Sequence, residues 1–239
     1  MGGGRVSALA VVTGGSVGIG AATVATFVGA GLEAWSLSRR TCPVGGARSL
    51  LCDLATAAGV DAAIAALLAA LPESAVIHLV HNAAAMEQDR ADALDPARFE
   101  RAMRLNVVTP AQLSAALIPR MAPGSSITFV GSTLSEKAVP GRLSYVASKH
   151  AIVGLMRATV QDLFGRQIHA TCVCPGFTDT EMLRPVLDQN PGLEEAVCAM
   201  VSFGRLLAPQ EIADVIAFAA RTPALNGAVL HANLGQRES

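Results

Sequence analysis

The chain has one tyrosine and one tryptophan, and only two lysines, Lys137 and Lys149, in 239 residues. Charged residues make up 15% and nearly balance, at a formal net charge of −1, so no block of one sign draws it toward nucleic acid or an anionic lipid surface. The longest apolar helical run, "AAIAALLAAL" (62–71), ends at Pro72 and is about half the length of a membrane span, so the expectation is a soluble protein. The start, "MGGGRVSALAVV", lacks the apolar segment and cleavage site of a secretory signal and reads as a short tail before the first strand. Five cysteines (Cys42, Cys52, Cys172, Cys174, Cys198) form no C-x-x-C pair or zinc-type spacing, and the histidines are scattered, so no metal site is expected. Reduced core thiols imply a cytoplasmic setting.

With 51% hydrophobic residues and no repeat, low-complexity linker or charge block, the chain reads as one globular domain over 1–239. Short β-like runs alternate with helical ones: "ALAVVT" (8–13), "EAWSLS" (33–38), "RSLLCD" (48–53), "AVIHLVH" (75–81), "SITFVGS" (126–132), "IHATCVC" (168–174) and "AVLHA" (228–232). Helical patterns run near 18–30, 57–71, 95–121, 145–165, 179–200 and 209–220. This order predicts an α/β fold, a Rossmann-like three-layer αβα sandwich around a mostly parallel sheet of about seven strands. Between the second and third strands only 39–47 remain, with Pro43, Gly45 and Gly46, so a loop rather than a helix is expected there.

Directly after the first strand comes "TGGSVGIG" (13–20), with Gly14, Gly18 and Gly20 opening a helix. Glycines at such a turn let the backbone approach a pyrophosphate, and the helix N-terminus supplies N–H donors and partial positive charge. The second strand ends in Ser38, Arg39 and Arg40, where an acidic residue would bind the adenosine ribose hydroxyls and a basic one a 2′-phosphate. Arginine's planar fork suits phosphate, so NADP(H) is favoured over NAD(H).

Tyr145 stands four residues before Lys149 in "SYVASK" (144–149), a spacing that sets both side chains on one helix face. A phenol is a proton donor or acceptor that a neighbouring ammonium biases toward its charged form. Ser132, thirteen residues earlier, falls at the carboxyl end of a strand, the edge where ligands bind in open parallel sheets. Its hydroxyl could hold a substrate carbonyl oxygen beside the phenol.

Together the glycine turn, "HNAA" (81–84), Asn106 in "RLNVV", Ser132, "YVASK" (145–149) and "PGFTDT" (175–180) resemble the short-chain dehydrogenase/reductase family in its common single-domain form, from about residue 8 to 232. The resemblance implies that Tyr145 protonates the carbonyl oxygen, or takes the alcohol proton in reverse, and that Lys149 holds the nicotinamide ribose. Ser132 would orient the substrate oxygen, and Asn106 would support a water linking Lys149 to solvent. Gly14, Ser16, Val17, Gly18, Ile19 and Gly20 match the pyrophosphate turn, and Asp53 and Leu54 the adenine contacts. Asn82, Ala83 and Ala84 match the segment along the adenosine ribose, and Pro175, Gly176, Thr178 and Thr180 the segment at the nicotinamide end. Ala84 stands where a glycine is usual, His81 reads as structural, and "NLGQRES" departs from the usual C-terminal pattern.

Residues 177–204 resemble the family's substrate lid, with Phe177, Met182, Leu183, Met200, Val201 and Phe203 as its apolar side chains, and Leu134, Val139 and Arg142 should line the opposite side of the mouth. The expected activity is an NADP(H)-dependent reduction of a ketone or aldehyde, or oxidation of the secondary alcohol, on a small molecule. A 3-oxoacyl-carrier-protein reductase is the narrower alternative and would need a docking patch containing Arg120 and Arg166. A dinucleotide-binding regulator without catalysis is the other. The resemblance also implies a homotetramer, or a homodimer, through the helices at about 107–121 and 145–165.

Overall fold

Parallel strands covered by helices on both faces can be largely apolar, and five of the seven runs form strands buried along nearly their whole length. A computed structural model describes residues 8–237; residues 1–7, read above as a tail, and the last two residues lie outside the described part. The strands are β1 (Ala8–Thr13), β2 (Glu33–Ser38), β3 (Arg48–Leu51), β4 (Val76–His81), β5 (Ser126–Val130), β6 (His169–Pro175) and β7 (Val229–Ala232). They form one sheet, β3-β2-β1-β4-β5-β6-β7, parallel at every pairing.

Alternation along each strand builds two cores. Leu9, Val11, Ile77, Leu79, Ile127, Phe129, Cys172 and Cys174 face one side, under α2 (Ala57–Ala70), α4 (Thr109–Leu117) and α5 (Leu143–Asp162). Ala10, Val12, Val80, Val130 and Val173 face the other, under α1 (Gly18–Gly29) and α8 (Pro209–Ala220). The result is a Rossmann-like three-layer sandwich. Its strand order reverses between β1 and β4, which opens a crevice at their carboxyl ends. The five cysteines are free, with the Cys172 and Cys174 sulfurs 3.8 Å apart on one face of β6.

Two helical expectations need correction. The 95–121 pattern is α3 (Pro96–Met103), a π turn (Arg104–Val108), α4 and a 3₁₀ turn (Ile118–Arg120) rather than one helix. Pro110 has no N–H to give the Asn106 carbonyl four residues back, and the wider π turn absorbs the mismatch. The 179–200 pattern is α6 (Arg184–Asp188) and α7 (Leu193–Ala199), divided at Pro191 and Gly192, the latter at φ 83°. Strands β3 and β5 also end two residues early. As expected, 39–47 holds no helix, and among the described residues none is long and apolar enough to cross a membrane.

Candidate active site

The crevice is one wall of a cavity of about 1040 Å³ that runs from the β2 end, past the glycine turn, to the 177–204 segment. Helix α1 starts at Gly18 with no side-chain cap and no acidic residue in its first turn, so its N-terminal dipole is not neutralised by the chain itself. At Gly20 a β-carbon would lie 2.1 Å from the Gly14 carbonyl oxygen and 2.6 Å from Asn82 Nδ2, so only glycine closes this turn. Asn82 Nδ2 donates to the carbonyls of Thr13 (3.0 Å) and Gly14 (3.3 Å). The backbone N–H groups of Asn82 and Ala83 each donate to Thr13 Oγ1 at 3.0 Å. Thr13 and Asn82 thereby bolt the end of β4 to the glycine turn.

At the β2 end, Ser38, Arg39, Arg40, Asp53 and Leu54 all line the cavity. Ser38 Oγ donates to the Arg40 carbonyl at 3.0 Å, and Asp53 Oδ1 accepts from Ala55 N at 3.0 Å. Arg40 is paired with Glu181 at 2.8 Å, whereas Arg39 has no ion pair among the described residues. An uncapped helix start, a turn with no room for a β-carbon and a free guanidinium at the β2 end are the donor set of a dinucleotide phosphate site. A nicotinamide dinucleotide fits the residues present.

Further along, β5 delivers Ser132 two residues past its end. Ser132 Oγ accepts from Leu134 N (3.1 Å), and Ser135 Oγ accepts from Ser132 N (3.1 Å), which fixes the side chain and leaves the hydroxyl proton to donate. Tyr145 and Lys149 lie on one face of α5, 9% and 3% exposed, with Lys149 Nζ 5.4 Å from the phenol ring centre. Lys149 Nζ donates to the Val130 carbonyl at 2.7 Å, and an ammonium has two further hydrogens to give. Ser132, Tyr145 and Lys149 share the cavity with Pro175, Gly176, Thr178 and Thr180. Thr178 Oγ1 donates to the Gly176 carbonyl (3.0 Å) and Thr180 Oγ1 to the Thr178 carbonyl (3.3 Å).

Asn106 is behind this wall, not on it. Its Nδ2 donates to the Ala85 carbonyl and to Ser148 Oγ, both at 2.9 Å, and its Oδ1 accepts from Ala85 N at 2.8 Å. The side chain acts as a clamp between the loop after β4 and α5, and the Asn106 carbonyl receives no N–H from position 110, which is Pro110. His81 is structural as expected: it is buried, joined to Ser114 Oγ through Nε2 at 2.8 Å and packed on Phe129, and burial pushes its pKa down to about 3.

Phe177, Met182, Leu183 and Met200 line the cavity, as do Leu134, Val139 and Arg142. Val201 is buried away from it, and Phe203, 68% exposed, faces solvent. The arginines of the carrier-protein reading are misplaced for docking at the mouth. The Arg120 carbonyl accepts from Ala75 N at the amino end of β4, and Arg166 reaches the Ile118 carbonyl beside it, at the edge opposite the crevice. Sequence reasoning passed over Thr13, Ala85 and Ser148. Thr13 carried a signal as the hydroxyl directly before the glycine turn; Ala85 acts through its backbone and carried none.

A family model described as Enoyl-(Acyl carrier protein) reductase matches residues 15–236. The chain belongs to the short-chain dehydrogenase/reductase family. It is 31% identical to the 2-(R)-hydroxypropyl-CoM dehydrogenase of Xanthobacter autotrophicus, over 94% of this chain and 96% of that protein. With the short-chain dehydrogenase fogB of Aspergillus ruber it is 38% identical over 95 residues, 40% of this chain, and spans only 35% of that relative's length. A blue fluorescent protein from a metagenomic library, solved with NADPH, superposes with a TM-score of 0.83 at 28% identity, over 96% of this chain and 97% of that one. The family is one of oxidoreductases that use a nicotinamide dinucleotide.

Proposed function

We propose that this short-chain dehydrogenase/reductase is an NADP(H)-dependent enzyme that reduces a ketone or aldehyde, or oxidises the corresponding secondary alcohol, with Tyr145 as the acid/base. The observation that carries the reading is the sharing of one cavity by Ser132, Tyr145 and Lys149 with the glycine turn and the Pro175–Thr180 segment. The bound dinucleotide supplies the hydride. Ser132 Oγ, its lone pair already engaged by Leu134 N, donates to the substrate oxygen and holds it at the phenol. Tyr145 gives that oxygen its proton. Lys149 binds the nicotinamide ribose with the hydrogens left free by Val130 and restores the tyrosine's proton through a water on the Asn106 carbonyl.

Gly14, Ser16, Val17, Gly18, Ile19 and Gly20 hold the pyrophosphate in this reading. Asp53 and Leu54 contact adenine, Ala83 and Ala84 flank the ribose, and Thr180 meets the carboxamide. Preference for NADP(H) rests on the unpaired Arg39 and on the NADPH bound by the metagenomic neighbour. The chain acts as one domain over 1–239 with a lid at 177–204, as a homotetramer or homodimer in the cytoplasm. The family model's description keeps an acyl carrier protein thioester as a second substrate reading, with a docking surface other than Arg120 and Arg166.

A screen of NADPH and NADH against ketones, aldehydes and 3-oxoacyl thioesters tests the reading. Tyr145→Phe should lower kcat by about 10² to 10⁴, the usual worth of a positioned acid, while still binding NADPH. Full activity in that variant, or no turnover of any carbonyl, refutes it. Arg39→Ala should raise KM for NADPH and leave that for NADH unchanged.

A further inference from the structure

On the substrate side, most of the cavity wall is apolar, including Leu134, Val139, Leu183, Val186 and Met200. A guanidinium stands in that wall. Arg142 is the N-cap residue of α5, three positions before Tyr145, and its half-buried side chain lines the same cavity. Nη1 donates to the Glu87 carbonyl at 3.2 Å, which steadies the group against the loop after β4. An arginine has five N–H donors in a planar fork, so one such bond leaves the rest for a ligand.

Neither neighbouring carboxylate makes an ion pair with Arg142. Glu87 Oε2 pairs with Arg98 at 3.3 Å, and both oxygens of Asp89 accept from Ser144 N, at 3.0 and 3.2 Å. Among the described residues Arg142 itself has no ion pair. The other acidic side chains in the wall lie toward the β2 end: Glu181 is paired with Arg40, and Asp53 Oδ1 accepts from Ala55 N. The chain therefore holds a guanidinium without an ion-pair partner among the described residues in a mainly apolar cavity, where a charge interacts more strongly than in water.

Resting on the carbonyl-reductase reading, we propose that Arg142 binds an anionic oxyacid group of the substrate, which is a ketone or aldehyde with a carboxylate, sulfonate or phosphonate at the far end from the reacting carbonyl. A fork of parallel N–H donors recognises such oxyanions through paired hydrogen bonds. Because neighbours at i and i+3 share a helix face, the anion on Arg142 sets the distance of the carbonyl from the Tyr145 hydroxyl. Neutral ketones of the same length fill the apolar wall but lack that anchor.

The test uses the whole chain with NADPH and four substrates: 4-oxopentanoate, its methyl ester, 3-oxobutane-1-sulfonate and 3-oxobutylphosphonate. At least one anion should exceed the ester in kcat/KM by tenfold or more, chiefly through KM, and the preferred anion identifies the oxyacid. Arg142→Met, which keeps the stem, should bring that ratio to about one, and Arg142→Lys should retain part of it. Should the Met variant lose NADPH binding, Arg142→Gln, which can still donate to Glu87, takes its place. A wild-type ratio near one, or a variant that loses both substrate classes equally, overturns the inference and leaves carbonyl reduction standing. No turnover of any of these or of a wider carbonyl panel overturns both.

Discussion

Replacing Thr13 by valine tests whether the glycine turn is held from beneath by a single hydroxyl. The two side chains have the same shape, so packing is nearly preserved and the hydroxyl alone is removed. Thr13 Oγ1 accepts from Asn82 N and Ala83 N at 3.0 Å and is 3% exposed, so water cannot replace it without entering the sheet. Each stranded buried N–H costs about 1–3 kcal/mol. Two give about 2–6 kcal/mol, offset by about 0.8 kcal/mol for the added buried methyl. At a urea dependence of about 3 kcal/mol per molar, the midpoint should fall by about 1 M at fixed protein concentration. Thr13→Ser keeps the hydroxyl and should lose much less. NADPH affinity should fall with stability in the valine variant, because Asn82 also holds the carbonyls of Thr13 and Gly14. A midpoint within 0.2 M of wild type, on the order of the uncertainty of such extrapolations, refutes the reasoning.

Gly20→Ala puts a methyl 2.1 Å from the Gly14 carbonyl oxygen, so the turn must open; NADPH affinity measured by fluorescence titration should fall at least tenfold, and unchanged affinity refutes the close approach. Burial holds the pKa of His78 down to about 4 and that of His81 to about 3, from 6.5. The unfolded chain therefore binds protons that the folded one refuses: the histidines' contribution is intact above pH 6.5 and is lost as pH falls toward 4 and then 3. Stability should drop by up to about 2.7 kcal/mol per pH unit in that window, and His81→Gln should roughly halve the slope. Pro110→Ala restores an N–H four residues after Asn106; it should raise the urea midpoint and lower kcat severalfold, and an unchanged kcat removes the Asn106 carbonyl from the proton path.

Much of this fold was legible because strands covered on both faces are rich in apolar side chains, and each such run was closed by glycine, proline or a change of period. The site's side chains were legible for a different reason: Tyr145 and Lys149 are rare residue types at a helical spacing, and the glycine turn has a local steric cause. What escaped was non-local or carried by backbone. Asn106 could be singled out, but its three bonds to Ala85 and Ser148 span 21 and 42 residues and two of them meet main chain. The breaks at Pro110 and at Pro191–Gly192 were written in the sequence. They were masked because apolar residues continue at helical spacing across them.

The broken 177–204 segment bears on how the cavity is covered. Its start is tied to the cofactor half at two points. Arg40 reaches Glu181 across 141 residues, and Thr180 Cγ2 lies 3.2 Å from where a β-carbon on Gly18 would stand. The ion pair has both side chains about 60% exposed, and such pairs are worth 0–1 kcal/mol, so it cannot hold the segment down. Apolar contact carries more: Leu187 and Val197, nearly buried, anchor α6 and α7. Helices of five and seven residues are too short to stand alone. The cover therefore keeps its shape only while its apolar face is packed, and a substrate that fills the cavity stabilises the same face. Arg40 is poised differently, since a phosphate at the end of β2 would compete with Glu181 for one exposed guanidinium at little energetic cost. A phosphate at the end of β2 would thus couple only weakly to the start of this segment, and a ligand packed on its apolar face would couple strongly to its middle.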